Sequence, residues 1–118
     1  ELKEAHPDAE VLAHPECRTE VLEMADVIGT TEKMLNHCRS SDRREFIVLT
    51  EVGMRHRLEV NCPGKVFHFP ESAVCGAMKM ATLEGIADVL ENMSNGVELP
   101  AEVVERARRP VERMIGRS

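Results

Sequence analysis

The segment "EFIVLT" (45–50) constrains the fold of this chain more than any other stretch. It contains four consecutive large apolar residues, from Phe46 to Leu49. A run without polar alternation is typical of a strand that is buried on both faces of a parallel sheet. Parallel strands must be joined by crossover connections, which are usually helices. The chain is therefore expected to alternate strands and helices.

The remaining patterns supply this alternation. Further strands are predicted at 9–13, 26–29 and 65–69. Helices are predicted at 18–25, 30–38 and 51–60, and the apolar spacing is helical from Ser72 onward. Pro110 is predicted to kink or divide the last helix, because proline lacks a backbone N–H. We predict an α/β fold, a three-layer αβα sandwich with a small parallel sheet.

The length of 118 residues allows one domain at most. Residues 1–8 start without Met and run into a Pro-Asp turn, so we interpret them as the end of a helix from a preceding domain. Residues 9–94 are predicted to form the α/β domain, and residues 95–118 a C-terminal helical segment that packs on it. A start inside a helix suggests a fragment of a longer protein.

Charge and cysteine content exclude several classes of protein. The net charge of −6 and the lack of a basic stripe argue against nucleic-acid binding. No apolar run approaches the roughly 18–20 residues of a membrane span. The four cysteines have irregular spacing without a CxxC pair, which is not typical of a secreted disulfide framework. We therefore expect a cytoplasmic protein that binds neither nucleic acid nor membrane.

Polar motifs follow the predicted strands, where ligands collect in parallel sheets. In "HPEC" (14–17), His14 and Glu16 are two positions apart, so in an extended segment both would face one ligand. A His–carboxylate pair can move protons near neutral pH, and a cationic His can hold an anion. The alternative is a turn whose polar residues cap the next helix.

Hydroxyl and thiol groups add to this edge. Thr30 and Thr31 begin a predicted helix, whose N-terminus would receive a phosphate or carboxylate, unless they are ordinary caps. Cys75 is predicted at the N-terminus of the longest helix, where the helix dipole favours a thiolate, unless it is simple packing. Glu51 and His56 are weaker candidates, for which burial or capping is an equal explanation.

Five motifs follow one another over essentially the whole chain: "HPDAEVLAHPEC", "ADVIGTTEKM", "FIVLTEVGMRHRL", "AVCGAMKMATLE" and "ARRPVERM". In this order they resemble the quinolinate synthases, iron–sulfur enzymes of NAD biosynthesis. The resemblance implies a transferase that condenses iminoaspartate with dihydroxyacetone phosphate to quinolinate, with loss of phosphate and water. It also implies three similar α/β domains around a 4Fe-4S cluster, to which each domain gives one Cys.

Within this family, the chain resembles the third, C-terminal domain, and the roles of family residues can be carried over position by position. Cys75 then matches a cluster ligand, whose two companion cysteines lie outside this chain. His14 and Glu16 match active-site residues, with Glu16 the better candidate for proton transfer. Thr30 and Thr31 match a pair that binds anionic groups of the substrate. The fragment alone is expected to be inactive, since the upstream domains supply the rest of the site.

Two alternatives stay open. A self-contained metal-binding module would use four ligands: His14, Cys17, Cys38 and Cys75. A non-catalytic Rossmann-like interaction domain would use the same residues only for packing and capping, and we rank it above the metal module. Cys17 matches a position that is not a cluster ligand in the family, and Cys38 and Cys62 have no predicted role.

Overall fold

The computed structural model describes residues 1–116 and contains one four-stranded sheet. All strand pairs are parallel, and the spatial order is β2-β1-β3-β4. The strands are β1 Glu10–Ala13, β2 Val27–Ile28, β3 Glu45–Leu49 and β4 Val66–His68. The predicted α/β class with a small parallel sheet flanked by helices is confirmed.

Helices alternate with these strands, as the crossover argument requires. They are α1 Leu2–Ala5, α2 Thr19–Leu22, α3 Thr31–Ser40, α4 Met54–Asn61, α5 Leu83–Asn92 and α6 Ala101–Ile115. A 3-10 turn spans Met78–Met80. No helix among the described residues combines the length and the apolar character needed to cross a membrane.

The chain divides into two compact units, Glu1–Lys79 and a second one that begins at Met80. The first unit contains the whole sheet with α1 to α4, and the second contains α5 and α6. The predicted domain end at residue 94 and the packing of residues 95–118 on the sheet domain stay predictions.

Strand β3 is buried on both faces, as its apolar run predicts. Phe46 and Val48 lie in the larger core cluster, to which α3 and α4 contribute Met34 and Leu58. Ile47, on the opposite face of the sheet, belongs to a smaller cluster with apolar residues that precede and form β1. Strand β3 therefore packs in the core on both faces of the sheet, and its carboxyl end has a well-defined position.

The predicted helix from Ser72 is wrong in its beginning. Residues 72–82 form turns and the 3-10 turn, and α5 begins only at Leu83, after Thr82 accepts a hydrogen bond from the Gly85 N–H at 3.1 Å. The segment before it is held by tertiary bonds that compete with helical ones, such as the one from the Val52 N–H to the Ala73 carbonyl at 2.7 Å.

Of the two outcomes predicted at Pro110, a division of the helix does not occur, and a kink stays a prediction. Helix α6 continues through Pro110 from Ala101 to Ile115 and is not divided. An interior proline removes its own hydrogen bond to the preceding turn and crowds the carbonyl there, but the neighbouring turns of α6 stay helical.

Candidate active site

The "HPEC" segment (14–17) forms a turn directly after β1. The Cys17 N–H donates to the His14 carbonyl at 2.9 Å, which closes the turn. The Leu49 carbonyl, at the end of β3, accepts from the His14 N–H at 3.1 Å and from the Cys17 thiol at 3.3 Å. The turn is thus fixed to the carboxyl end of the neighbouring strand. The predicted extended conformation is wrong, because these bonds fold the segment back.

The turn nevertheless brings His14 and Glu16 together. The Glu16 N–H donates to His14 Nδ1 at 3.3 Å, and Glu16 Oε2 lies 3.8 Å from the same nitrogen. An Nδ1 that accepts a hydrogen bond leaves the proton of the neutral ring on Nε2. The His14 side chain is 25% exposed and that of Glu16 is 91% exposed. The imidazole is therefore half-buried against the turn, while the Glu16 carboxylate is accessible to a ligand.

The two threonines after β2 have different surroundings. Thr30 is the N-cap of α3, and its hydroxyl accepts from the Lys33 N–H at 3.3 Å. Thr31, the first residue of the helix, lines a cavity at the carboxyl edge of the sheet. The structure therefore gives Thr30 a capping contact and brings only Thr31 to the other candidates.

Glu51 organises the loop that follows β3. Its carboxylate accepts from the Gly53 N–H at 2.7 Å and lies 2.9 Å from the Lys79 ammonium. The pKa of Glu51 is held below its ordinary value. The largest cause is the hydrogen bond from the Lys79 ammonium, followed by that from the Gly53 N–H, and the backbone of Cys75 adds a smaller effect. A methyl group at Gly53 would lie 2.6 Å from Glu51 Oε2, so a side chain at this position would displace the carboxylate.

Cys75 lies in a loop rather than in a helix. The bond between the Val52 N–H and the Ala73 carbonyl ties this loop to the β3–α4 connection, and the Cys75 thiol is free and half-buried. A helix dipole is therefore not the source of any special reactivity at Cys75. The loop is positioned by its contacts with the Glu51 region instead.

One cavity of about 340 Å³ lies between these loops. Its lining comprises His14, Glu16, Cys17, Thr31, Leu49, Thr50, Glu51, Ser72, Ala73, Val74, Cys75 and Met78. The loops that follow β1 and β3 leave the sheet at the point where the strand order reverses, which is where ligands bind in open α/β sheets. Four of the five predicted site residues thus meet in one cavity, and Thr30 is the exception.

Cys38 and Cys62 belong to the core. Both are buried in the larger cluster. Burial is the main cause that raises the pKa of the Cys38 thiol to about 12, and the neighbouring Cys62 adds to it. Cys38 therefore lies in the core and is not part of the cavity lining that contains His14, Cys17 and Cys75. This placement contradicts the metal module that includes Cys38. His56 is exposed on α4, and nothing in the structure gives it a role.

Sequence reasoning missed Lys79 and undervalued Glu51. The pair is 28 positions apart along the chain and meets only through the tertiary fold. The motif "TEVG" contained a usable signal for Glu51, because a Glu shortly before a Gly at a strand end can accept a hydrogen bond from the N–H of that Gly. The cationic partner had no signal in the sequence.

A parallel α/β unit with a thiol, an imidazole, a carboxylate and a hydroxyl around one carboxyl-edge cavity has the architecture of an enzyme's ligand-binding domain. More particularly, the chain belongs to the quinolinate synthetase A protein family, which matches residues 1–116.

Curated relatives agree with this assignment. The chain is 44% identical to the quinolinate synthase of Aquifex aeolicus over 120 residues, which cover 97% of this chain and 37% of the relative. The quinolinate synthase of Methanoregula boonei is 42% identical, with 96% of this chain and 38% of the relative covered. The chain therefore spans less than two-fifths of the length of these relatives.

Proposed function

We propose that this chain is the C-terminal domain of a quinolinate synthase, a cytoplasmic enzyme that condenses iminoaspartate with dihydroxyacetone phosphate. The observation that carries the proposal is the meeting of His14, Glu16, Thr31 and Cys75 around one cavity in a chain of this family. The share of the relatives that the chain covers is compatible with one domain of three.

A 4Fe-4S cluster fits the donor set of this chain at one position. Cys75 offers a free, half-buried thiol at the cavity, and thiolates are the usual ligands of iron–sulfur clusters. The thiol of Cys17, the other cysteine at the cavity, already donates a hydrogen bond to the Leu49 carbonyl. The remaining ligands would come from upstream domains of the same protein. When bound, a cluster with an open iron supplies a Lewis acid for the loss of water.

His14 and Glu16 are proposed to move protons during condensation and dehydration. The exposed Glu16 carboxylate can accept a proton from a substrate carbon or nitrogen and return it to a leaving hydroxyl. His14, whose Nδ1 accepts from the Glu16 N–H, presents Nε2 as a donor to a substrate oxygen. The turn thereby combines a base with a hydrogen-bond donor two residues away.

The N-terminus of α3 is proposed to bind an anionic group of a substrate. Thr31 contributes a hydroxyl at the cavity, and the first N–H groups of a ten-residue helix carry a partial positive charge. Both proposed substrates are anions, through carboxylates or a phosphate. Thr30 would act indirectly, by capping the helix through the Lys33 N–H.

Two variants of the full-length enzyme test this proposal. Glu16→Gln should lower kcat by about 10²–10⁴-fold, the usual contribution of a general acid–base group, while iron content is unchanged. Cys75→Ser should lose the visible absorption of the cluster together with activity. The reading as a non-catalytic interaction domain predicts instead that quinolinate formation is unchanged in both variants, and that result would overturn the proposal.

A further inference from the structure

Two histidines and a glutamate converge on a second place in the first unit. His6 Nδ1 lies 2.9 Å from Glu45 Oε1, and His68 Nε2 lies 2.8 Å from the same oxygen. The two imidazole rings are stacked, with their centroids 3.6 Å apart and their planes 21° apart. None of these residues lines the cavity of Cys75, so the cluster is separate from the proposed active site.

We propose that His6, Glu45 and His68 form a binding site for Zn²⁺. One potential ligand atom from each of the three residues lies within 4.8 Å of those of the other two. Two imidazoles and one carboxylate are a donor set that Zn²⁺ uses in sites that keep a fourth position for water. Ligands about 2.0–2.1 Å from a tetrahedral ion are about 3.3–3.4 Å apart, so the two short contacts to Glu45 need to widen by about half an ångström. The stacked rings must also tilt apart, so that both ligand nitrogens point at one ion.

The accessibility of the cluster suits an ion that enters from solvent. The side chains of His6, Glu45 and His68 are 31%, 37% and 20% exposed, respectively. Such partial exposure leaves a path for the ion and room for the rings to tilt. Neutral imidazole is the form that binds metal, and each ring frees its ligand nitrogen by carrying its proton on the other one. Glu45 supplies the negative charge that offsets part of the ion's charge.

The site would connect three parts of the chain. His6 lies in the segment before β1, Glu45 begins β3, and His68 ends β4. A bound ion would fix the segment before β1 to the sheet, and by mass action it would raise the unfolding temperature. The pair His37–Glu10 gives the matched comparison, because its Nε2–Oε2 contact is also 2.8 Å but it lacks a second imidazole.

Cobalt titration of the full-length protein tests the site, with Co²⁺ as an optical substitute for Zn²⁺. One equivalent of Co²⁺ should give visible d–d bands without thiolate charge-transfer absorption, and Zn²⁺ should displace it. His68→Gln should weaken binding at least about tenfold, the least that loss of even an outer-shell partner costs. His37→Gln should bind like the wild type. Equal affinities of wild type and His68→Gln, or thiolate charge-transfer bands, would overturn the proposal.

A second measurement covers the case in which His68→Gln fails to fold. Zn²⁺ should protect His6 and His68 of the wild-type protein from diethylpyrocarbonate, with His37 as the internal reference in the same digest. Equal modification with and without Zn²⁺ contradicts the site. Cys75→Ser should retain this cobalt site, so the result is independent of the iron–sulfur proposal.

Discussion

The Cys17 thiol donates a hydrogen bond to the Leu49 carbonyl, 3.3 Å away. The bond joins the turn after β1 to the end of β3, and the His14 N–H shares the same acceptor at 3.1 Å. Cys17 thus has a structural contact that explains its presence beside His14 without metal binding.

We therefore expect Cys17→Ser and Cys75→Ser to differ in the full-length enzyme. A serine at 17 can still donate to the Leu49 carbonyl, so iron content should equal that of the wild type, with kcat within a few-fold. A serine at 75 should reduce bound iron to a trace. Iron analysis and visible spectra of both proteins check this, and loss of iron in Cys17→Ser would contradict the role given to Cys17.

Glu51 should make stability depend on pH. Its pKa is lowered in the fold by the Lys79 ammonium and the Gly53 N–H, so its contribution is complete above its unfolded pKa and is lost as pH falls through the folded value. The difference in urea midpoint between the wild type and Glu51→Gln should be constant near neutral pH and vanish in acid. Lys79→Met should raise the pKa of Glu51 in an NMR titration. An unchanged pKa in Lys79→Met would contradict the assignment of the main cause.

Thiol labelling should separate the cysteines. Burial holds the pKa of Cys38 at about 12, so at pH 8 its thiolate fraction is negligible. Iodoacetamide should label Cys75 in protein from which iron has been removed and leave Cys38 unlabelled until urea is added. Peptide mass spectrometry gives the order, and early labelling of Cys38 would show that its environment is not the packed core.

Truncation of Phe46 should strongly destabilise the first unit. Phe46 is fully buried and stacks on Phe67 with the ring centroids 5.7 Å apart. Phe46→Ala should cost about 3–5 kcal/mol of unfolding free energy, the usual range for a buried phenylalanine. Val66→Ala is a suitable control, because Val66 in the paired strand is 52% exposed and should lose much less. Urea denaturation followed by circular dichroism measures both.

Gly64 should be sensitive to a side chain for conformational reasons alone. Its φ is +80°, in the left-handed region, and a Cβ there would meet no atom within 4 Å. Gly64→Ala should therefore destabilise by about 1–2 kcal/mol through the backbone. Gly96, which also has open space but no positive φ, provides the comparison. Equal melting temperatures for Gly64→Ala and wild type would contradict this explanation.

The sheet and the meeting of the site residues were predictable, whereas the loop details were not. Four apolar residues in a row define β3 because local pattern and burial agree there. The convergence of His14 and Cys75 follows from the rule that parallel strands end at one edge. The helix predicted at Cys75 failed because tertiary hydrogen bonds hold that loop, and such bonds have no local signal. Thr30 and Thr31 are neighbours in sequence, but Thr30 caps α3 and only Thr31 lines the cavity. Their side chains point in different directions because successive residues at a helix start are rotated about the helix axis.

The register between β1 and β3 has a consequence for the size of the cavity. Ala13 is paired with Leu49, so the loops that carry His14 and Glu51 leave adjacent strands, whose separation is about 4.8 Å in any sheet. That separation is set by backbone hydrogen bonds and cannot change gradually. The spacing between the two loops at the sheet edge is therefore fixed, so a change in the size of the Cys75 cavity within this unit would have to come from its side chains.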